Sequence, residues 1–318
     1  METLGGPTGD TVTIAARNLE LTSELLSIAS SLDAAGVPFV VLKGVPLAYR
    51  IFGRLEARRI RDNDILVPLA HVARGIEALR GCGYAEEHPG LARGEELRRT
   101  NQSLMVQQRP GAVRLCAELH WRAFYPEFFD VPEAVEWQHV SPFSLHGHTL
   151  RVFDEPLTLL HLAAHFAQHG FSQAWILRDV AAAWNTWHRD LDRQALRRLA
   201  VETRTLGVLE FALKAAQDLD WLAAPPAVLG SRRAAVLRRI LPTRRLFEPR
   251  PEPDHRRNLL LFVLTGLRRA PRYLAHTMFP TIERMSVIYG RPASRRLYLR
   301  YATRPWRALQ GAVKTPRA

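Results

Sequence analysis

The residues best equipped for chemistry lie in one short run, Arg61-Asp62-Asn63-Asp64-Ile65-Leu66-Val67. Side chains alternate along a strand, so Asp62 and Asp64 would project from one face and Asn63 from the other. Two carboxylates crowded on one face repel each other and lose hydration, and a cation between them relieves both penalties. Magnesium takes a few carboxylate oxygens, several waters and the oxygens of a substrate phosphate, which such a pair can supply. A third carboxylate is available later. In Val113-Arg114-Leu115-Cys116-Ala117-Glu118-Leu119-His120 the apolar Val113, Leu115, Ala117 and Leu119 share a face, and Glu118 lies on the other beside Cys116 and His120. If the two strands are neighbours, Asp62, Asp64 and Glu118 converge over the sheet and suit a two-metal site for in-line attack on a phosphoryl group. Alanine at Asp62 or Asp64 should then end turnover while leaving the fold intact or slightly stabilised, because like-charge repulsion is relieved. Asp-x-Asp alone is weak evidence, since acidic pairs at strand ends are common. Its weight comes from the elements around it.

Those elements read as follows. Residues 1–16 carry Gly, Thr and Pro without periodicity and are expected to fray, with a flexible N-terminus to about residue 18. Leu25, Ile28, Ala29 and Leu32 then make one helical stripe, ended by Gly36 and Pro38. Phe39 to Leu42 is a short β-rich run between turn residues and predicts a buried strand. Lys43-Gly44 closes it, and Pro46 suits the first turn of a short helix to Phe52-Gly53. The strand from Asp62 follows, then a helix over about 69–80. Ser103–Val106 and Val113–Leu119 flank Arg109-Pro110-Gly111-Ala112, which predicts a hairpin. This order predicts an α+β catalytic domain over 19–153, a small mixed sheet with flanking helices.

From Asp154-Glu155-Pro156, a capping acid with proline in the first turn, strand signals nearly vanish. Residues 154–318 are expected to be an all-helical region with an arginine-rich end, broken at Pro225-Pro226 and the Pro249/Pro251/Pro253 cluster. At 318 residues and 47% apolar content a real core is within reach. No apolar run is long enough to cross a bilayer, no secretory signal is visible, and Cys82 and Cys116 suit a reducing compartment. A soluble cytoplasmic protein is the expectation. The formal charge of +13, nearly all arginine, fits either a solvated basic face or a polyanionic partner such as nucleic acid, with the first favoured.

Three segments together point to a family. Val41-Leu42-Lys43-Gly44, Arg58-Arg59-Ile60-Arg61-Asp62-Asn63-Asp64-Ile65-Leu66-Val67 and Glu118-Leu119-His120-Trp121 resemble the uncharacterised bacterial nucleotidyltransferase family. The likeness extends to Leu160-His161 through His165 and His169, to Leu177-Arg178-Asp179-Val180, and to Tyr298-Leu299-Arg300-Tyr301 with Arg304-Pro305, covering about residues 20 to 310. The resemblance implies Asp62 and Asp64 as metal ligands, Glu118 as the third carboxylate, and magnesium with a nucleoside triphosphate (NTP) donor. It also implies that Gly44 lets the backbone approach the triphosphate and that Lys43 and Arg58 neutralise phosphate charge. Two departures from the wider superfamily concern nucleotide binding. Lys-Gly replaces its Gly-Ser phosphate motif at a longer distance from the Asp pair, and Asn63 stands where an apolar residue is commoner.

Other candidates are weaker. His161, His165 and His169, four apart, line one helix face. A metalloprotease-type Glu and nearby cysteines are missing, so a packed or acceptor-facing surface is preferred to a metal site. Asp179 is best read as an ion-pair or hydrogen-bond partner, His146-Gly147-His148 as loop, and Trp175, Trp184 and Trp187 as core. The Gly-rich phosphate loops of other nucleotide enzymes are missing. The reading is a magnesium-dependent nucleotidyltransferase that acts on an unidentified acceptor, with Glu118 also able to deprotonate that acceptor. Two alternatives stay open, a non-catalytic basic scaffold and a transferase that uses a nucleotide-sugar donor.

Overall fold

Val40-Val41 and Asn63–Leu66 are short runs buried on both faces, as central strands are, whereas residues 9–34 bury a single stripe, as an amphipathic helix does. The computed structural model describes residues 9–107, 115–226, 230–248, 255–290 and 295–300. The chain divides into two compact units.

The first unit comprises residues 1–89, 102–123 and 136–154. It holds helix α1 (Gly9–Ala34), strand β1 (Val40–Val41), helix α2 (Val45–Phe52), strand β2 (Asn63–Leu66), helix α3 (Val72–Gly81) and strand β3 (Ala85–Glu86). Strands β4 (Gln102–Gln107), β5 (Leu115–His120), β6 (Val140–Leu145) and β7 (His148–Phe153) complete it. Among the described residues the strands form one seven-stranded mixed sheet, in the order β3-β4-β5-β2-β1-β7-β6. β2 sits at its centre, parallel to β5 and antiparallel to β1. The α1 stripe of Leu21, Leu25, Ile28 and Leu32 is wholly buried. This helix starts at Gly9, so the stretch expected to fray up to residue 18 is helical from there. Its lower end is functional in packing: Asn18 is fully buried.

One face of β2 and β5 is apolar and packs on helices. Gly75 of α3 lies where a Cβ would stand 3.4 Å from Leu119 and 3.7 Å from Val67. Asn63, on that same face, donates from Nδ2 to the carbonyl of Leu21 in α1 at 3.1 Å. The polar residue in the middle of the motif therefore serves the helix side, and Asp64 is left to the other.

β4 and β5 pair antiparallel from Gln102↔His120 to Gln107↔Leu115, as the two runs around Pro110-Gly111 suggest. The turn itself, residues 108–114, lies outside the described residues. Strand signals in the sequence do not mark the β6–β7 hairpin; the expected loop at His146-Gly147-His148 is its turn, with His148 already in β7. His146 and Gly147 both have positive φ, 48° and 81°, and form the two-residue turn between Leu145 and His148. Pro142 within β6 masks the strand signal, and β6 tolerates it as the edge of the sheet.

The second unit comprises residues 90–101, 124–135 and 155–318. It holds α4 (Gly94–Arg99), α6 (Glu155–Gln168), α7 (Ala174–Trp187), α8 (Arg193–Glu202), α9 (Leu206–Asp218), α10 (Arg232–Ile240), α11 (His255–Thr265), α12 (Ala270–Met278) and α13 (Ile282–Tyr289). A short helix α5 (Glu133–Gln138) straddles the division. Leu157, Leu160, Phe166, Phe171 and Phe211 are buried in its core, with Phe171 ringed by Phe166 at 5.3 Å and Phe211 at 5.0 Å. Residues 249–254, with their prolines, and Tyr301, Arg304 and Pro305 lie outside the described residues. No described helix is long and apolar enough to cross a membrane.

Candidate active site

The register of two strands builds the site. β2 and β5 run parallel with Asp64 directly beside Glu118 and Leu66 beside His120. Asp64, Glu118 and His120 therefore share the face turned away from α1 and α3. Their ligand atoms all lie within 4.8 Å of one another. His120 Nε2 is 3.2 Å from Asp64 Oδ1 and 3.5 Å from Glu118 Oε2. From β4, Gln102 donates its Nε2–H to Glu118 Oε2 at 2.8 Å and fixes that carboxylate.

Lys43, just past β1, puts Nζ 3.0 Å from Asp64 Oδ2, and both side chains are almost fully withdrawn from water. The next residue, Gly44, has φ 73° and ψ −129°, a conformation that side chains with a Cβ rarely adopt. It begins α2, where Pro46 occupies the first turn. The strand thus turns sharply into a helix N-terminus, where main-chain N–H groups and the helix dipole favour anions.

Asp62 stands just ahead of β2, half-buried, and interacts electrostatically with Asp64, Lys43, Glu118 and Arg58. It lies near the cluster but is not one of the three groups whose ligand atoms converge; His120 completes that set. Arg58 is buried. Its loop is held by a residue that the sequence did not single out. Asn18 of α1 donates to the carbonyls of Leu55 and Arg58, both at 2.8 Å, and accepts from the N–H of Ile60 at 3.2 Å. A lone helical Asn carries no signal of such a role. His120 could have been found, since strand alternation already put it on the face of Glu118.

Burial first, then the neighbouring Asp64 charge, pushes the Asp62 carboxyl up to about 7; Lys43 and Arg58 pull the other way, and Glu118 adds to the rise. Burial alone would lower the His120 pKa, but its hydrogen bonds to Asp64 and Glu118 raise it to about 9, so the ring is cationic at neutral pH. Burial alone would likewise lower Lys43, yet Asp64, Asp62 and Glu118 outweigh it and hold the ammonium above the usual lysine range. Two cationic side chains thus compensate Asp64 and Glu118, while at Asp62 burial and the Asp64 charge outweigh the pull of Lys43 and Arg58. The donor set of carboxylate oxygens suits a hard divalent cation such as magnesium. A cation beside Asp62 would lower that pKa and favour its ionised form.

The histidine row behaves differently. His161 is buried on α6, His165 is half-buried and His169 is exposed just beyond the helix. Their rings meet aromatic neighbours: His161 lies 5.5 Å from Phe124, His165 4.6 Å from His169, and Trp175 about equally near His165 and His169 at 6.3 and 6.4 Å. Asp179 is buried on α7, as are Trp184 and Trp187. Among the described residues, these histidines are not part of a group whose ligand atoms converge as those of Asp64, Glu118 and His120 do.

Residues 8–219 match the model of a family described as an uncharacterised nucleotidyltransferase, and the chain belongs to that family. No curated protein matches the chain. Among solved structures it is similar to an antigenic nucleotidyltransferase-like protein from Paracoccidioides brasiliensis, at 13% identity and a TM-score of 0.35, over 62% of this chain and 94% of that one.

Proposed function

We propose that this chain is a magnesium-dependent nucleotidyltransferase that moves a nucleoside monophosphate from an NTP to an acceptor. The observation that carries the reading is the parallel register that sets Asp64 beside Glu118, with Lys43 closing on Asp64. Asp62, Asp64 and Glu118 would hold the metal, which supplies charge stabilisation at the phosphoryl oxygens and fixes the triphosphate for in-line displacement. His120 and Gln102 orient the carboxylates through their hydrogen bonds.

Lys43 and Arg58 supply positive charge for the phosphates, and Gly44 with the first turn of α2 presents main-chain N–H groups to them. An acceptor hydroxyl or phosphate oxygen attacks the α-phosphorus. The bond from that phosphorus to the bridging oxygen breaks, and pyrophosphate leaves with the electron pair. Glu118, partly exposed, takes the acceptor proton or passes it to water.

The test is incubation of the purified chain with magnesium, each α-labelled NTP and native cell extract as acceptor source. Label should move onto an acceptor in the wild type and not in the Asp62→Ala/Asp64→Ala variant. Transfer that survives in the variant contradicts the assignment. Transfer seen only with labelled nucleotide-sugars replaces the donor.

A further inference from the structure

The formal +13 is distributed very unevenly. Residues 231–318 hold 21 Lys and Arg against 4 Asp and Glu, whereas residues 1–230 hold 23 against 27. The excess begins at α10. From Trp221 to Phe247 the sequence contains six arginines and no acid. α10 buries Ala234 and Leu237 and turns the opposite side to water. On that exposed side Arg232, Val236, Arg239 and Ile240 fall at i, i+4, i+7 and i+8, with Arg233 alongside. Val236 is 53% and Ile240 71% exposed. Arg238 lies off this face and is engaged by Asp218 through contacts of 2.6 and 2.5 Å. The turn that follows, Thr243–Arg245, exposes Arg244 and Arg245.

A second element of the same unit repeats the pattern. α12 buries none of its residues. Pro271, Leu274 and Met278 form a stripe along it, Leu267 and Leu274 are 68% and 57% exposed, and Arg268 and Arg272 are exposed beside them.

We propose that the arginine and aliphatic face of α10 seats this protein on an anionic phospholipid surface. Guanidinium groups pair with phosphodiesters in a bidentate manner, and a basic helix carrying aliphatic side chains settles at the boundary of headgroups and acyl chains. An open groove of about 360 Å³ runs beside the face, lined by Glu210, Lys214, Ala234, Ala235, Arg238 and Arg239. The Glu210 carboxylate already accepts from the Ser231 N–H at 2.7 Å and Arg238 is engaged by Asp218, so Lys214 and Arg239 are its cations for a headgroup. The composition of the face decides among partners. A nucleic acid uses the arginines but leaves Val236 and Ile240 in water, and α10 offers no aromatic ring for base stacking. A second copy docked face to face by two-fold symmetry sets these arginines against one another. The proposal does not depend on the metal site.

The experiment is flotation of the full chain with vesicles of phosphatidylcholine alone and of phosphatidylcholine with about one third phosphatidylglycerol. Binding to the anionic vesicles only, weakening with salt, is expected. Arg232→Gln/Arg233→Gln/Arg239→Gln should lose on the order of a hundredfold in partitioning. Val236→Ser/Ile240→Ser should lose about tenfold. All five residues are exposed, and an unchanged circular dichroism spectrum checks that the variants fold. No flotation by the wild type, or equal flotation with neutral vesicles, overturns the proposal. So does tight binding of a duplex oligonucleotide with the Val236/Ile240 variant still floating normally, which marks a plain polyanion surface. Concentration-dependent dimerisation that this variant abolishes overturns it too, by making the face a protein interface.

Discussion

The molecule contains two groups of chemistry-bearing side chains, and they are built in opposite ways. Asp64, Glu118, His120 and Gln102 come from three neighbouring strands and Lys43 from the segment just past a fourth, and they meet within about hydrogen-bonding distance. His161, His165 and His169 come from one helical segment at a constant spacing of four, and they meet aromatic rings. Spacing of four on a helix puts these side chains on a common face, where His165 and His169 meet ring to ring but do not close with a third ligand on a shared point. Register between strands distant in sequence does make side chains converge, because parallel pairing fixes which residues stand side by side. The first group should therefore govern transfer, and the second should matter for packing.

The largest effect expected from that contrast is at Asp64. Asp64→Ala should reduce nucleotidyl transfer by at least about a thousandfold. It should also destabilise the fold, because it leaves the Lys43 ammonium and the His120 ring buried without their shared counter-charge. Asp62→Ala should abolish transfer while leaving stability equal or higher. The sequence suggests one behaviour for both aspartates; the geometry separates them. Urea titration of the two variants beside the label assay checks this.

Next in size is Asn18→Ala, which removes three hydrogen bonds to the loop carrying Arg58. It should cost about 2–3 kcal/mol and raise KM for the NTP more than it lowers kcat. Urea denaturation and steady-state kinetics with the identified acceptor measure the two parts.

The pH dependence of the metal-free protein follows from two raised pKa values. Asp62 moves up from 3.8 to about 7, so the folded state holds that proton more tightly than the unfolded state. Its contribution is complete below 3.8 and is lost as pH rises through about 7. His120 moves from 6.5 to about 9, so its contribution is complete below 6.5 and is lost as pH rises through about 9. Thermal melting in EDTA should therefore fall steadily from about pH 4 to 9, and Asp62→Asn should flatten the lower part of that decline. A melting temperature that climbs across this range contradicts the charge assignment.

The smallest effects belong to the helix. His161→Ala should cost about 1–3 kcal/mol by leaving a hole beside Phe124. His169→Ala, at an exposed position, should stay within about 0.5 kcal/mol. Neither should change metal or nucleotide binding in calorimetric titrations. A loss of metal binding in either variant would promote the histidine row to a site and break the comparison.

Legibility followed the same division. Alternation in Asp62–Val67 and Val113–His120 told which side chains share a face, and the Pro-Gly signal told that β4 and β5 pair. The α1 stripe was visible as four apolar residues at helical spacing. What no single segment carries is the register between segments: that Asp64 stands beside Glu118, that His120 reaches Asp64, and that Gln102 reaches Glu118. Asn18 was illegible for the same reason, since its partners lie about forty residues away. The β6–β7 hairpin was hidden by Pro142 and by a His-Gly turn less familiar than Asn-Gly. Asn63, which looked out of place in the motif, is explained by a carbonyl of α1.

The most direct test of the central claim is binding of manganese, as a magnetic stand-in for magnesium, followed by electron paramagnetic resonance with and without a non-hydrolysable NTP. Lys43 and His120 already compensate Asp64 and Glu118, so the ion alone should bind weakly and the triphosphate should strengthen its binding by drawing off the lysine charge. The account predicts nucleotide-dependent manganese binding in the wild type and its loss in Asp64→Asn/Glu118→Gln. Equal manganese binding in that variant, or none in the wild type with any NTP, would contradict it.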